Sequence, residues 1–270
     1  MKLKNVVQDN NGVSPVIGII LILSIVTVSI AIIYTSGVPF IDSAKQNTQF
    51  TSARNSFTVL HNDILEVANG PVSGAGTGRI TKINLGSGAI SVEPNETKMI
   101  IDYTMGTDNF NKTAIPGTII YENKGGKVIY ENGAVFSNYI SSSYIEVEPK
   151  IYATNLGPNS IGLMIHIINL TGSNTSVGST NTGKIRTQLT TNVLGNSYYV
   201  DDVTITITSQ NNDSWARYFN ETLTSANLQN DQFNITNVPD NTVEIKIDGS
   251  GSSEDIYLSI YETMIKSNAE

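Results

Sequence analysis

The side chains that could do chemistry are few and dispersed. Only two histidines are present, His61 in a helical pattern and His166 inside the apolar run Leu163-Met164-Ile165-His166-Ile167-Ile168. A histidine-based metal cluster or a two-histidine hydrolytic site needs a convergence that this spacing does not supply. Cysteine is absent, which removes thiol nucleophiles and disulfides together. Asp201-Asp202 offers two carboxylates for acid–base work, but adjacent residues of a strand point to opposite faces. The segment Asp248-Gly249-Ser250-Gly251-Ser252-Ser253-Glu254-Asp255 crowds oxygen ligands that a calcium ion could use. It lacks the acidic spacing and closing glutamate of a helix–loop–helix calcium loop. Gly74-Ala75-Gly76-Thr77-Gly78 has no strand before it and no helix after it, so it reads as a flexible connection and not as a phosphate loop. Trp215, Tyr218 and Phe219 share one side of a short predicted helix, either as a ligand platform or, the preferred reading, as core anchors. The chain is therefore expected not to be an enzyme and to hold no metal or cofactor.

The elements are more informative than these side chains. No Asp, Glu, Lys, Arg or His occurs between Asp9 and Asp42. The apolar stretch Val16 to Tyr34 is about 19 residues, which at about 1.5 Å per helical residue reaches about 28 Å, close to a bilayer's hydrocarbon thickness. Ser14 is a favoured N-cap and Pro15 suits the first turn, so the helix should start there. Gly37 and Pro39 predict its end or a kink. Lys2 and Lys4 against Asp9 make a basic leader that stays cytoplasmic, which puts the acidic bulk of the chain outside as a single-pass protein. Ser24, Thr27, Ala31 and Thr35 put small side chains on one face, where a second helix can approach closely.

A cleaved secretory signal would end at a small-residue site just after the apolar run. Here the helical pattern continues. Phe50, Ala53, Phe57, Leu60, Ile64 and Val67 alternate spacings of three and four, a continuous seam that Gly70-Pro71 should stop. That seam serves either packing on the chain's own domain or a contact between subunits. The expected organisation is a leader over 1–12, a helix over 13–69 with its span at about 16–34 and an amphipathic stalk at about 40–69, and a β-rich domain over 71–270.

Beyond Pro71 short β-rich runs alternate with Gly, Asn and Asp. Strands are predicted at 98–103, 118–121, 128–130, 144–153, 162–169, 184–191, 203–209, 243–247 and 256–264, with a helix at 214–223. Asn123-Lys124-Gly125-Gly126 and Asn132-Gly133 read as hairpin turns. The fold class is α+β: a long hydrophobic helix followed by a mainly antiparallel β-sandwich. The polar stretch 170–183 is either a long loop, as preferred, or a divide between two β subdomains. The net charge of −8 and scattered cations argue against a nucleic-acid partner.

Gly12-Val13-Ser14-Pro15-Val16-Ile17-Gly18 followed by an Ile/Leu/Val run resembles the N-terminus of archaeal type IV pilins and pilin-like proteins, bearers of class III signal peptides. The resemblance implies that a membrane-embedded prepilin peptidase cuts between Gly12 and Val13 and that the helix is retained. Asn11 stands where such leaders often carry a charge. Ile17 stands where many bacterial pilin helices carry glutamate, so the archaeal comparison is the closer one. Looser likenesses to archaeal pilin-like ectodomains run through Gly78-Arg79-Ile80, Ile119-Ile120-Tyr121-Glu122 and Trp215-Ala216-Arg217-Tyr218-Phe219. The implied role is a structural subunit, major or minor, of a surface filament, with membrane lipid, like pilin subunits and the pilus assembly machinery as partners. The alternative is an anchored, non-polymerised adhesion protein. Sequons at Asn95, Asn111, Asn169, Asn174, Asn212, Asn220 and Asn234 fall on the side of the membrane where an archaeal oligosaccharyltransferase could act.

Overall fold

The computed structural model describes residues 15–70, 77–139, 142–157, 160–178, 181–228, 232–248 and 256–270, with backbone alone at 193–194. The chain divides into two compact units that meet between Lys45 and Gln46. In the first unit, α1 (Pro15–Ile32) passes into a π-helical turn (Ile33–Gly37), and α2 (Val38–Ala68) begins directly after it. The helix therefore does not end at Gly37 and Pro39. Proline inside an α-helical ladder removes a donor and crowds the carbonyl four residues back, and a π-turn widens the backbone where that conflict arises. The Thr35 hydroxyl donates to the Ala31 carbonyl at 2.9 Å and lies 3.3 Å from that of Ile32, within the same turn.

Among the described residues, the second unit contains the rest of α2, sixteen strands and α3 (Asn212–Ser225). The first sheet has the order β1-β12-β16-β10-β9, with β1 at Gly78–Asn84, β9 at Ile151–Gly157, β10 at Ser160–Thr171, β12 at Thr182–Val200 and β16 at Ile256–Ala269. The second has the order β11-β2-β5-β6-β7-β8, with β2 at Ala89–Glu93, β5 at Thr118–Asn123, β6 at Gly126–Glu131, β7 at Ala134–Tyr139, β8 at Ser142–Val147 and β11 at Thr175–Gly178. The third has the order β14-β15-β13-β3-β4, with β3 at Lys98–Met105, β4 at Asp108–Ala114, β13 at Asp202–Thr208, β14 at Phe233–Val238 and β15 at Thr242–Asp248. Pairing is antiparallel except between β10 and β16. The α+β class holds, with three sandwich-like sheets instead of two.

β10 and β12 lie on either side of β16 in one sheet. The polar stretch between them is thus a connection within one architecture, and part of it forms β11 against β2. The predicted strand 144–153 is two strands in different sheets, β8 and β9, interrupted at 148–150, where Pro149 cannot donate to a ladder. The Asn132-Gly133 turn joins β6 to β7 with φ of 45° and 79°, the left-handed pair a two-residue hairpin requires.

Two cores result. The first gathers Met99, Ile101, Ile205, Ile245, Leu163, Trp215 and Phe219; the second gathers Phe57, Leu60 and Ile64 of α2 with Ile83, Tyr121, Tyr130 and Ile265. Along β10, Ile161, Leu163, Ile165 and Ile167 enter the first core, whereas Ile168 and Leu170 enter the second. Because strand side chains alternate, the change of parity means that opposite faces of one sheet serve the two cores. The seam Phe50, Ala53, Phe57, Leu60, Ile64 and Val67 is wholly buried in the second core. It is spent on its own domain and is not a free stalk surface.

Candidate functional site

Two features carry chemistry: an uncovered apolar helix in the first unit and a set of buried carboxylates in the second. No residue of α1 is buried, and Val16, Ile22, Ile33 and Phe40 expose 63%, 65%, 69% and 75% of their surface. Among the described residues, one helix, Pro15–Ala68, is long and apolar enough to cross a membrane. Pro15 opens α1 as expected, while Gly12, Val13 and Ser14 lie outside the described residues. Ser24 donates to the Ile20 carbonyl, Thr27 to Leu23 and Ser29 to Ile25, each at 2.8 Å. With Thr35 on Ala31, these four hydroxyls are satisfied inside their own helix, so lipid is not asked to solvate a free O–H at those positions. The small face of Ser24, Thr27, Ala31 and Thr35 is thereby presented as carbon. Ser29, which belongs to the same set of back-bonded hydroxyls, escaped the sequence reading.

Asn95, Asn111, Asn174, Asn220 and Asn234 are exposed and Asn212 is half-buried. Asn169 is a correction. It is 7% exposed, and its Nδ2 donates to Glu262, so a glycan on that nitrogen has no room in this fold.

The candidate chemical residues resolve into structure. His61 is buried in α2 beside Tyr130, and burial pulls its pKa below the usual imidazole value. The Nε2 of His166 is 2.9 Å from Thr263 Oγ1, which donates to Asn192 Oδ1 at 2.7 Å. Asn192 Nδ2 in turn caps the Ala68 carbonyl at the C-terminus of α2, at 2.8 Å. Burial, with the nearby charge of Lys150, lowers the pKa of His166 as well. Asp202 accepts from Thr104 Oγ1 at 2.5 Å and Asp201 from the Gly106 amide at 2.6 Å, so the pair ties strand ends. Of the crowded oxygen segment only Asp248 is described, and among the described residues no group of three His, Asp or Glu side chains is placed to hold a metal. The 74–76 part of the glycine tract also lies outside the described residues. An open polar groove of about 480 Å³ between β9 and α3 is lined by Glu148, Tyr152, Tyr218 and Glu221.

Trp215, Tyr218 and Phe219 are core anchors, and Trp215 has a second task. Its Nε1 donates to Glu131 Oε1 at 2.9 Å, while Ser209 Oγ and Asn211 Nδ2 donate to Oε2 at 2.7 and 3.0 Å. Glu131 is 1% exposed. Burial pushes its carboxyl above the usual range, and the three donors oppose that rise. This carboxylate pins the β6–β7 hairpin to the start of α3. A second buried carboxylate, Glu262 on β16, receives Lys112 Nζ on one oxygen and Asn169 Nδ2 on the other. Both glutamates were absent from the sequence-level candidates.

No curated protein and no solved structure matches the chain. The family described as "Family of unknown function (DUF7289)" matches residues 11–266, nearly the whole chain and including the apolar helix, and the chain belongs to that family.

Proposed function

We propose that the protein is a structural subunit, a pilin or minor pilin, of an archaeal type IV pilus-like surface filament. Its N-terminal helix anchors it in the cytoplasmic membrane before assembly, and its β domain stands outside as a glycan-bearing surface. The observation that supports this reading best is the contrast between two parts of one helical run. The seam from Phe50 to Val67 is covered by its own domain, whereas α1 is apolar on all sides and has no residue buried among the described residues. Such a helix needs an apolar solvent, and lipid and a bundle of like helices both supply one. Transfer from the first to the second exposes no apolar area to water. The back-bonded hydroxyls let the small face pack in either setting.

In this reading the leader is removed between Gly12 and Val13 by a prepilin peptidase, the assembly machinery and like subunits are the partners, and the chain has no catalytic role. The test is the N-terminus of the native protein, measured by mass spectrometry in membranes and in sheared surface material. A start at Val13 in the sheared filaments is the expected result. An intact Met1 leader confined to membranes refutes assembly and leaves a fixed anchor with an adhesion ectodomain.

A further inference from the structure

The geometry points to a self-catalysed amide crosslink between Lys112 Nζ and Asn169 Cγ, with Glu262 as the proton carrier. Lys112 lies on β4 of the third sheet, and Asn169 and Glu262 lie on β10 and β16 of the first. In the parallel ladder Ile167 pairs with Glu262 and Asn169 with Met264, so Asn169 and Glu262 are diagonal neighbours on one face. That face also carries Leu163 and Ile165 into the first core. Ile101 pairs with Lys112, which turns the lysine toward the same core. One carboxylate therefore holds an amine on Oε2 and a carboxamide on Oε1. Tyr103, Tyr198 and Ile260 line a small cavity of about 140 Å³ beside Lys112 and Glu262.

A second observation marks Asn169 as a reactant. Its Oδ1 is buried and has no hydrogen-bond partner among the described residues. A structural asparagine at 7% exposure would use both ends of its amide. If Glu262 takes a proton from Lys112 Nζ, the ion pair becomes a neutral acid beside a free amine. A turn of the Asn169 amide about its Cβ–Cγ bond then brings Oδ1 onto the acid's O–H, which satisfies the orphan oxygen and polarises Cγ.

The atoms balance without a co-reactant. Nζ attacks Cγ, the new C–N bond forms, and the carbonyl electron pair moves to Oδ1. As it returns, the Cγ–Nδ2 bond breaks. Two of the three protons of the lysine ammonium pass through Glu262 to Nδ2, and the third stays on the new amide nitrogen. The leaving group departs as ammonium and Glu262 is left as a carboxylate. Holding both reactants on one carboxylate converts a sluggish bimolecular aminolysis into an intramolecular one, where effective molarities reach about 10⁵–10⁸ M.

The bond would tie an edge strand of the third sheet to an inner strand of the first in a chain with no cysteine. It would also consume the nitrogen that a glycan at Asn169 needs. The inference stands on these three side chains and does not depend on filament assembly.

The full chain, purified in detergent from a host without N-glycosylation, should have an intact mass short by one ammonia. Its digest should contain a joined peptide pair linking Lys112 to Asn169. Glu262→Gln and Lys112→Arg, the second of which keeps a cation on Glu262, should both restore the full mass while circular dichroism reports the native fold. A folded wild-type chain that keeps its full mass after prolonged incubation overturns the crosslink. Deamidation of Asn169 in place of linkage also overturns it, as does ammonia loss that persists in Glu262→Gln.

Discussion

Replacing Trp215 by Phe separates the two tasks of that side chain. The indole is fully buried and its N–H supplies the donor to Glu131 Oε1. A hydrogen bond to a charged group is worth about 1.5–3 kcal/mol. The smaller ring gives up a further ~1–2 kcal/mol of burial and packing. The variant should therefore lose about 2.5–5 kcal/mol, which at about 2–4 °C per kcal/mol for a domain of this size is a fall of roughly 10 °C in the unfolding midpoint. The loss should also depend on pH. Burial raises the Glu131 carboxyl above its ordinary 4.5, so the native state binds this proton more tightly than the unfolded chain does. The stability that proton confers is fully present below the unfolded value and is lost as pH rises through the folded one. A protonated Glu131 has less need of the indole donor than a carboxylate has. The cost of Trp215→Phe should thus be smaller near pH 4.5 than at pH 8, and Glu131→Gln should abolish the difference. The assay is urea unfolding of the full chain followed by circular dichroism, since Trp215 is the only tryptophan. An equal cost at both pH values would show that Trp215 acts through volume alone, and a cost below about 1 kcal/mol would refute the anchoring role.

Leu60→Ala, at a fully buried seam position, should cost about 2–5 kcal/mol in the same assay, whereas a seam serving only subunit contacts would leave the isolated chain unchanged. Ile22→Lys should prevent filaments in electron micrographs of cells, because a lysine at a helix centre costs about 2.5–3.5 kcal/mol in the apolar phase; unchanged filaments would count against burial of α1. Gly117→Ala should destabilise by more than about 1 kcal/mol, since φ there is +70° and a Cβ would sit 2.7 Å from the Pro94 backbone. Glycopeptide mapping of the native protein should find occupancy among Asn95, Asn111, Asn174, Asn220 and Asn234 and none at Asn169; a glycan on Asn169 would contradict its buried amide.

Much of the architecture was legible because its determinants are local. The three-four spacing of the α2 seam, the Asn-Gly turn after Glu131 and the alternation in β13 and β15 each declare themselves within a few residues. What was not legible depends on partners distant in the chain. β4 and β14 are polar edges that hardly alternate, β7 is a short inner strand buried on both faces, and β10 lies beside β16 only because the sheet closes across ninety-odd residues of sequence. Glu131 sits next to a turn, where a carboxylate is ordinarily solvated. It is buried because α3 arrives over it some eighty residues later. Glu262 did leave a trace, since it shares the inward parity of Ile256, Leu258 and Ile260 on β16. A charged residue in register with a core face requires partners, and pursuing that requirement leads to Lys112 and Asn169.

The same reasoning separates the two halves of the helical run. A seam of apolar residues with polar neighbours asks for a partner on one side, and α2 finds it in the second core. Apolar residues on every side, as in α1, ask for an apolar phase and not for a single partner surface. The β domain has one seam to cover and covers it with α2. The demand made by α1 is of another kind, one that a bilayer or a bundle of like helices meets.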